Sequence, residues 1–129
     1  MANILKFEEL EIWQKAREIC ICIDFLIQNT ALKNNYSLKD QIDRSSGSVM
    51  DNIAEGFERN GNKEFINFLS IAKGSCGETK SQCYRAYDKN LISEEQYLKL
   101  LEMTEHEKNK IGAMMNYLRN CEIKGLKFK

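Results

Sequence analysis

The chain has 129 residues, no proline, and nineteen basic side chains against nineteen acidic ones. That length suits one domain with a single buried core spanning residues 1–129, and the missing proline favours long uninterrupted helices. The cancelled charge excludes an overall field that would draw the chain to nucleic acid or anionic lipid, so any such contact needs a local basic patch.

Helix 1 is expected over residues 8–28. Leu10, Trp13, Ala16, Cys20, Ile23 and Ile27 follow three- and four-residue steps, and Ile12, Ile19, Phe25 and Leu26 widen the stripe beyond what one neighbour covers. A stripe this wide suits a helix packed between two neighbours, or one that also meets another subunit. Before it, Lys6, Glu8 and Glu9 interrupt Ile4, Leu5 and Phe7, so the N-terminus reads as no secretory segment. The longest apolar run, Ile19 to Ile27, is too short to span a bilayer and holds Asp24. The five cysteines, Cys20, Cys22, Cys76, Cys83 and Cys121, form no C-x-x-C pair and are expected as buried reduced thiols. A soluble cytoplasmic protein follows as the expectation. The polar, aperiodic run from Asn29 to Tyr36 reads as a loop.

Helix 2 is expected over 38–58, with Ser37 as N-cap and Asp40 completing a capping-box pattern. Leu38, Ile42, Ser45, Val49, Ile53 and Phe57 mark its buried side, and Ser45-Ser46-Gly47-Ser48 form a patch of small residues that permits close approach of another helix. Asn60-Gly61 is the turn signal. Helix 3, over 63–88 with Asn62 as cap, places Phe65, Phe68, Leu69, Ala72, Cys76, Thr79, Cys83 and Ala86 inward. Gly74, Ser75 and Gly77 form a second small patch to meet the first. Lys89-Asn90 ends this helix, and Ser93, with Gln96 at the capping-box position, opens helix 4 over 94–120. There Tyr97, Leu101, Thr104, Lys108, Ile111, Met115 and Leu118 step at nearly coiled-coil spacing, with Thr104 and Lys108 weakening the middle of the seam. The sum is an all-α fold, an antiparallel up-down-up-down four-helix bundle with a short basic tail at 121–129.

A bundle of this kind can hold two metals when two helices each carry a Glu-x-x-His pair. The single histidine, His106, has Met103 three residues before it and lies in a charged run, Glu102 to Glu107, that reads as a solvated face. No phosphate-cradling glycine loop follows a strand, and no cysteine has a base placed to activate it. No enzyme, metal, cofactor, small-molecule substrate or membrane role is expected. Asn52, Glu55 and Arg59 share one face of helix 2, as a structural polar cluster or surface ion pair, or else as a ligand-facing patch. Positive charge concentrates in two places. Residues 62–90 carry five basic and three acidic side chains, with Lys73 and Lys80 seven apart on one face, and residues 121–129 carry Lys124, Lys127 and Lys129 against one acidic residue. These five lysines are the candidate nucleic-acid contacts.

Four stretches carry a family resemblance. Phe7 to Ala16, FEELEIWQKA, resembles an opening F-x-x-L-x-(V/I)-W-Q-x-A, and Gln41 to Ser46 resembles Q-(I/L)-x-R-(A/S)-(A/S). Asn52 to Phe57 reads N-I-A-E-G-F. Lys63-Glu64-Phe65, Phe68-Leu69 and Ile71 to Ser75 match K-E-F-x-x-F-L-x-I-A-(R/K)-G-S. The chain is thereby similar to the four-helix-bundle proteins encoded in 23S rRNA intervening sequences. The resemblance implies an antiparallel bundle assembled as a homopentameric ring and a link to RNA. It also relates the chain to the accessory variability protein of diversity-generating retroelements, a basic ring that binds nucleic acid, whereas this chain is neutral. The expectation is a non-enzymatic oligomeric scaffold that binds RNA or an RNA-handling protein. The alternative is a protein–protein adaptor with no nucleic-acid affinity.

Overall fold

The apolar steps of the sequence become four helices in the computed structural model, which describes residues 4–123. They are α1, Glu11–Asn29; α2, Tyr36–Glu58; α3, Asn62–Asp88; and α4, Glu94–Ile123. Each packs on its neighbour in sequence and α4 closes back on α1, most extensively between α2 and α3 and least between α1 and α4. Cross-helix contacts fix the directions. Ser45 meets Gln82 at 2.6 Å while Ser48 meets Ser75 at 2.9 Å, so α2 and α3 run antiparallel. Tyr87 stacks on Tyr97 while Cys76 meets the Thr104 carbonyl, with the same consequence for the α3–α4 pair. The arrangement is the expected four-helix bundle.

Two apolar clusters fill the interior. One joins Leu10, Ile12, Ala16, Val49, Ile53, Phe65, Leu69, Ile111 and Leu118. The other joins Ile19, Ile23, Leu26, Leu32, Leu38, Ile42, Cys83 and Leu100. Between them lies a layer of buried polar residues, Ser45, Ser46, Thr79, Gln82, Thr104 and Glu107. Ser45 Oγ lies 2.8 Å from Thr79 Oγ1 and 2.6 Å from Gln82 Oε1, and Thr104 Oγ1 donates to the Leu100 carbonyl at 2.8 Å. Glu107 has no such partner for either oxygen.

Several local expectations change. Residues Phe7–Glu9 form a separate 3-10 turn, and α1 starts at Glu11 because Leu10 takes an extended backbone that carries its side chain into the core. The first loop is not wholly irregular: a 3-10 turn, Ala31–Asn34, buries Leu32, and a lone apolar residue gives no periodicity to read. Asn35 rather than Ser37 caps α2, its Oδ1 accepting from the Leu38 amide at 3.0 Å, whereas Ser37 sits inside the first turn and accepts from Gln41. Gly61, at φ 96°, occupies the cap position of α3, and Asn62 is its first residue. A side chain is disfavoured at such a backbone angle. The Ser93–Gln96 capping box forms as expected, with both reciprocal bonds present.

The small patches meet, but through their hydroxyls. A Cβ added at Gly47, Gly74 or Gly77 would find open space. The glycine at a close approach is Gly56, where an added Cβ would lie 2.5 Å from Phe68 Cβ and 3.0 Å from Phe65 Cδ1. In α4 the buried seam runs Leu100, Thr104, Glu107, Ile111, Met115 and Leu118. Lys108 therefore faces outward, and the run Glu102 to Glu107 is not a solvated face at Thr104 or Glu107.

Candidate nucleic-acid interface

A shallow groove of about 420 Å³ runs between α3 and α4, lined by Lys73, Lys108, Asn109, Asn116 and Arg119 among others. The spacing on α4 explains the alignment. Eleven residues make three turns of a 3.6-residue helix with about 20° left over, so Tyr97, Lys108 and Arg119 fall on one side. On α3 the same interval separates Lys73 from Tyr84. Lys80 lies along this line too, but its Nζ donates to Glu105 Oε1 at 2.8 Å, and Lys108 Nζ approaches the same oxygen at 3.1 Å. The bonds donated by Lys80 and then Lys108 hold the Glu105 carboxyl below its ordinary range, and the bond from Lys80 to Glu105 raises the lysine. Arg119 Nη1 donates to Asn116 Oδ1 at 3.2 Å, which steadies the guanidinium without neutralising it. Among the described residues no carboxylate pairs with Lys73. The strip therefore carries four cations, Lys73, Lys80, Lys108 and Arg119, two of which pair with the Glu105 carboxylate, within a chain of zero formal charge. Such a strip attracts phosphate by charge and hydrogen bonding together.

Of the lysines singled out from the sequence, Lys73 lines this groove and Lys80 is held beside it by Glu105. Lys124, Lys127 and Lys129 lie outside the described residues. Lys108 and Arg119 were not among the candidates, although their eleven-residue step is a signal that the sequence carries. Lys108 was hidden because a 3.5-residue step assigned it to the seam.

Asn52, Glu55 and Arg59 divide between two tasks. Asn52 Nδ2 donates to the Ser48 carbonyl at 2.8 Å and to Ser48 Oγ at 2.9 Å, and Ser48 Oγ contacts Ser75 of α3. Arg59 Nη2 pairs with Glu55 Oε2 at 2.6 Å in a half-exposed ion pair, and the guanidinium sits 5.0 Å from the centre of the Phe68 ring. Pairs this exposed contribute little.

The α1–α4 side differs. A groove of about 350 Å³ is lined by Lys15, Glu18, Ile19, Glu102, Met103 and the exposed His106. A second, of about 460 Å³, is lined by Glu18, Ile21, Cys22, Phe25, Lys99 and Met103, with Ile21 61% and Phe25 56% exposed. Among the described residues no three histidine, cysteine or acidic side chains gather to hold a metal. Burial pushes the Cys76 and Cys83 thiols up to about 12 and also raises Cys20 and Cys22, so these four stay protonated at neutral pH. Sequence reading missed Glu107. It is completely buried, and that burial, followed by repulsion from Glu11, pushes its carboxyl up to about 8.

Residues 8–113 match the family model described as 23S rRNA-intervening sequence protein. The fold is similar to a crystal structure of a protein with unknown function from the S23 ribosomal protein family of Bacteroides thetaiotaomicron. That likeness has a TM-score of 0.73 at 23% identity and covers 81% of this chain and 97% of the other. No curated protein matches the sequence.

Proposed function

The chain belongs to the 23S rRNA-intervening sequence protein family, and from that premise we propose that it is a non-enzymatic helical scaffold that binds RNA through the α3–α4 groove. One observation carries the reading: Lys73, Lys108 and Arg119 converge on an open groove in a chain whose charges cancel overall. Assembly into a homopentameric ring is part of the same proposal. The exposed Ile21 and Phe25 support it, since apolar surface of this kind gains by being covered. A ring would repeat the groove and sum its potential, which is how a neutral chain can hold a polyanion. No helix among the described residues is long and apolar enough to cross a membrane, and the proposed place of work is the cytoplasm.

The test is light scattering behind a sizing column, at low and high salt, with and without RNA. A pentamer that gains RNA mass only at low salt is the expected result. The second reading, a protein adaptor without nucleic-acid affinity, is favoured by the apolar groove of Ile21, Phe25 and Met103. It predicts a particle whose mass ignores RNA at every salt concentration.

A further inference from the structure

Three tyrosines stand at one end of the basic groove. Tyr97 of α4 stacks on Tyr87 of α3 with ring centres 4.1 Å apart and planes 7° from parallel, and Tyr84 meets Tyr97 edge-on at 5.5 Å. Tyr87 and Tyr97 are half-buried, while Tyr84 keeps 43% of its surface in solvent, one turn beyond Lys80. An exposed aromatic braced against a second ring that is itself stacked on a third is a platform with reduced rotamer freedom, so a flat partner stacks on it at small entropic cost. At the helical rise of about 1.5 Å per residue, Lys73 lies ~16 Å from Tyr84 along α3, and Arg119 ~33 Å from Tyr97 along α4. Cations that track a backbone, followed by an aromatic face for a base, are the two parts of a single-strand binding surface. Paired bases in a duplex hide their faces and leave phosphates, 2′-hydroxyls and base edges to be contacted, so no base is free to stack on a side chain.

We infer that the ligand of the α3–α4 groove is single-stranded RNA, with its phosphates along Lys73, Lys108 and Arg119 and one unpaired base stacked on Tyr84. This rests on the RNA-binding reading above and names which form of RNA it takes. The Lys80–Glu105 pair lies between the two parts, and a phosphate arriving there competes with Glu105 for the lysine.

The experiment uses the full chain at low salt with an oligoadenylate of ~12 nucleotides carrying 2-aminopurine, and with a duplex of the same length. The expected result is single-strand binding about tenfold tighter than duplex binding, with the 2-aminopurine fluorescence quenched by stacking. Tyr84→Ala then loses about tenfold in single-strand affinity and abolishes the quenching, while Tyr84→Phe retains both. Lys73→Glu weakens both ligands alike. Equal affinity for the two forms, with Tyr84→Ala indistinguishable from the parent, would overturn the inference and leave the phosphate groove standing. Failure of both forms to bind at low salt would overturn the inference and the RNA reading together. Circular dichroism of Tyr84→Ala, expected unchanged because Tyr84 lies at the helix surface outside both buried clusters, separates a lost contact from a lost fold.

Discussion

Lys80 of α3 and Glu105 of α4 hold each other at 2.8 Å across the edge of the basic groove, and Glu105 also restrains Lys108 at 3.1 Å. One carboxylate therefore moderates two of the four cations in the strip. Its removal tests the groove by gain rather than loss. Glu105→Gln is expected to raise RNA affinity several-fold and to steepen the dependence of log affinity on log salt by about one unit or more. Fluorescence anisotropy across a salt series reads both quantities. An affinity unchanged by Glu105→Gln, and likewise by Lys73→Glu, would remove the groove from consideration.

Glu107 gives the fold a pH dependence of definite sign. Its carboxyl is faced by Glu11, Lys15 and Glu18 of α1 and by Cys76 of α3, and burial raises it to about 8 from an ordinary 4.5. Between those two values the folded chain keeps a proton that the unfolded chain releases. Stability therefore falls as pH rises through this window and levels off above about 8. Below 4.5 both states are protonated and the effect disappears. Glu107→Gln should flatten this component and stabilise the chain at the alkaline end, by a few kcal/mol at most. Urea unfolding of both proteins across the window measures the difference. A parent curve that climbs with pH there, or a Gln variant that parallels it, contradicts the assignment.

Two glycines of α2 should answer the same substitution with opposite signs. Gly56→Ala drives a methyl to 2.5 Å from Phe68 Cβ, on a backbone-proximal atom that cannot swing aside, and overpacking of this kind costs about 1–3 kcal/mol. Gly47→Ala meets nothing within 4 Å, and the better helix former should gain about 0.5–1 kcal/mol. Denaturant midpoints of the two variants settle the contrast. Equal shifts would mean that the hairpin relaxes freely around Phe68.

Phe25→Asp tests the assembly. Phe25 is 56% exposed and lies beside Ile21 on α1, so the change costs an isolated chain almost nothing in stability. If this face joins copies of the chain, light scattering should show a smaller particle with unchanged helicity. A particle of parental mass places the subunit contacts elsewhere.

The helices were legible because their apolar steps are long and no proline interrupts them, and Ser93 with Gln96 carried a reciprocal cap that the structure forms. What escaped was set by single side chains in tertiary contact. Leu32 sits alone in a polar loop. Gly56 looks like any mid-helix glycine until Phe68 is brought against it. Glu107 belongs to a run of charges, and only the turn of α4 relative to α1 puts it inside. The groove was half legible: Lys73 and Lys80 stood out by their spacing on one helix. Lys108 and Arg119 became their neighbours only through the antiparallel pairing of α3 with α4, and Glu105 then claimed Lys80.

The polar layer at mid-height also bears on how the helices find their alignment. Apolar faces alone tolerate sliding, since one leucine packs against another after a shift of one turn. A slide of α3 along α2 by one turn, ~5.4 Å, would carry Gln82 from Ser45 toward Ile42 or Val49 and strand its amide among hydrocarbon. Ser48 would lose Ser75 in the same movement. The layer thus works as a detent: it gives the hairpin one resting position in a bundle whose two apolar halves would otherwise accept several.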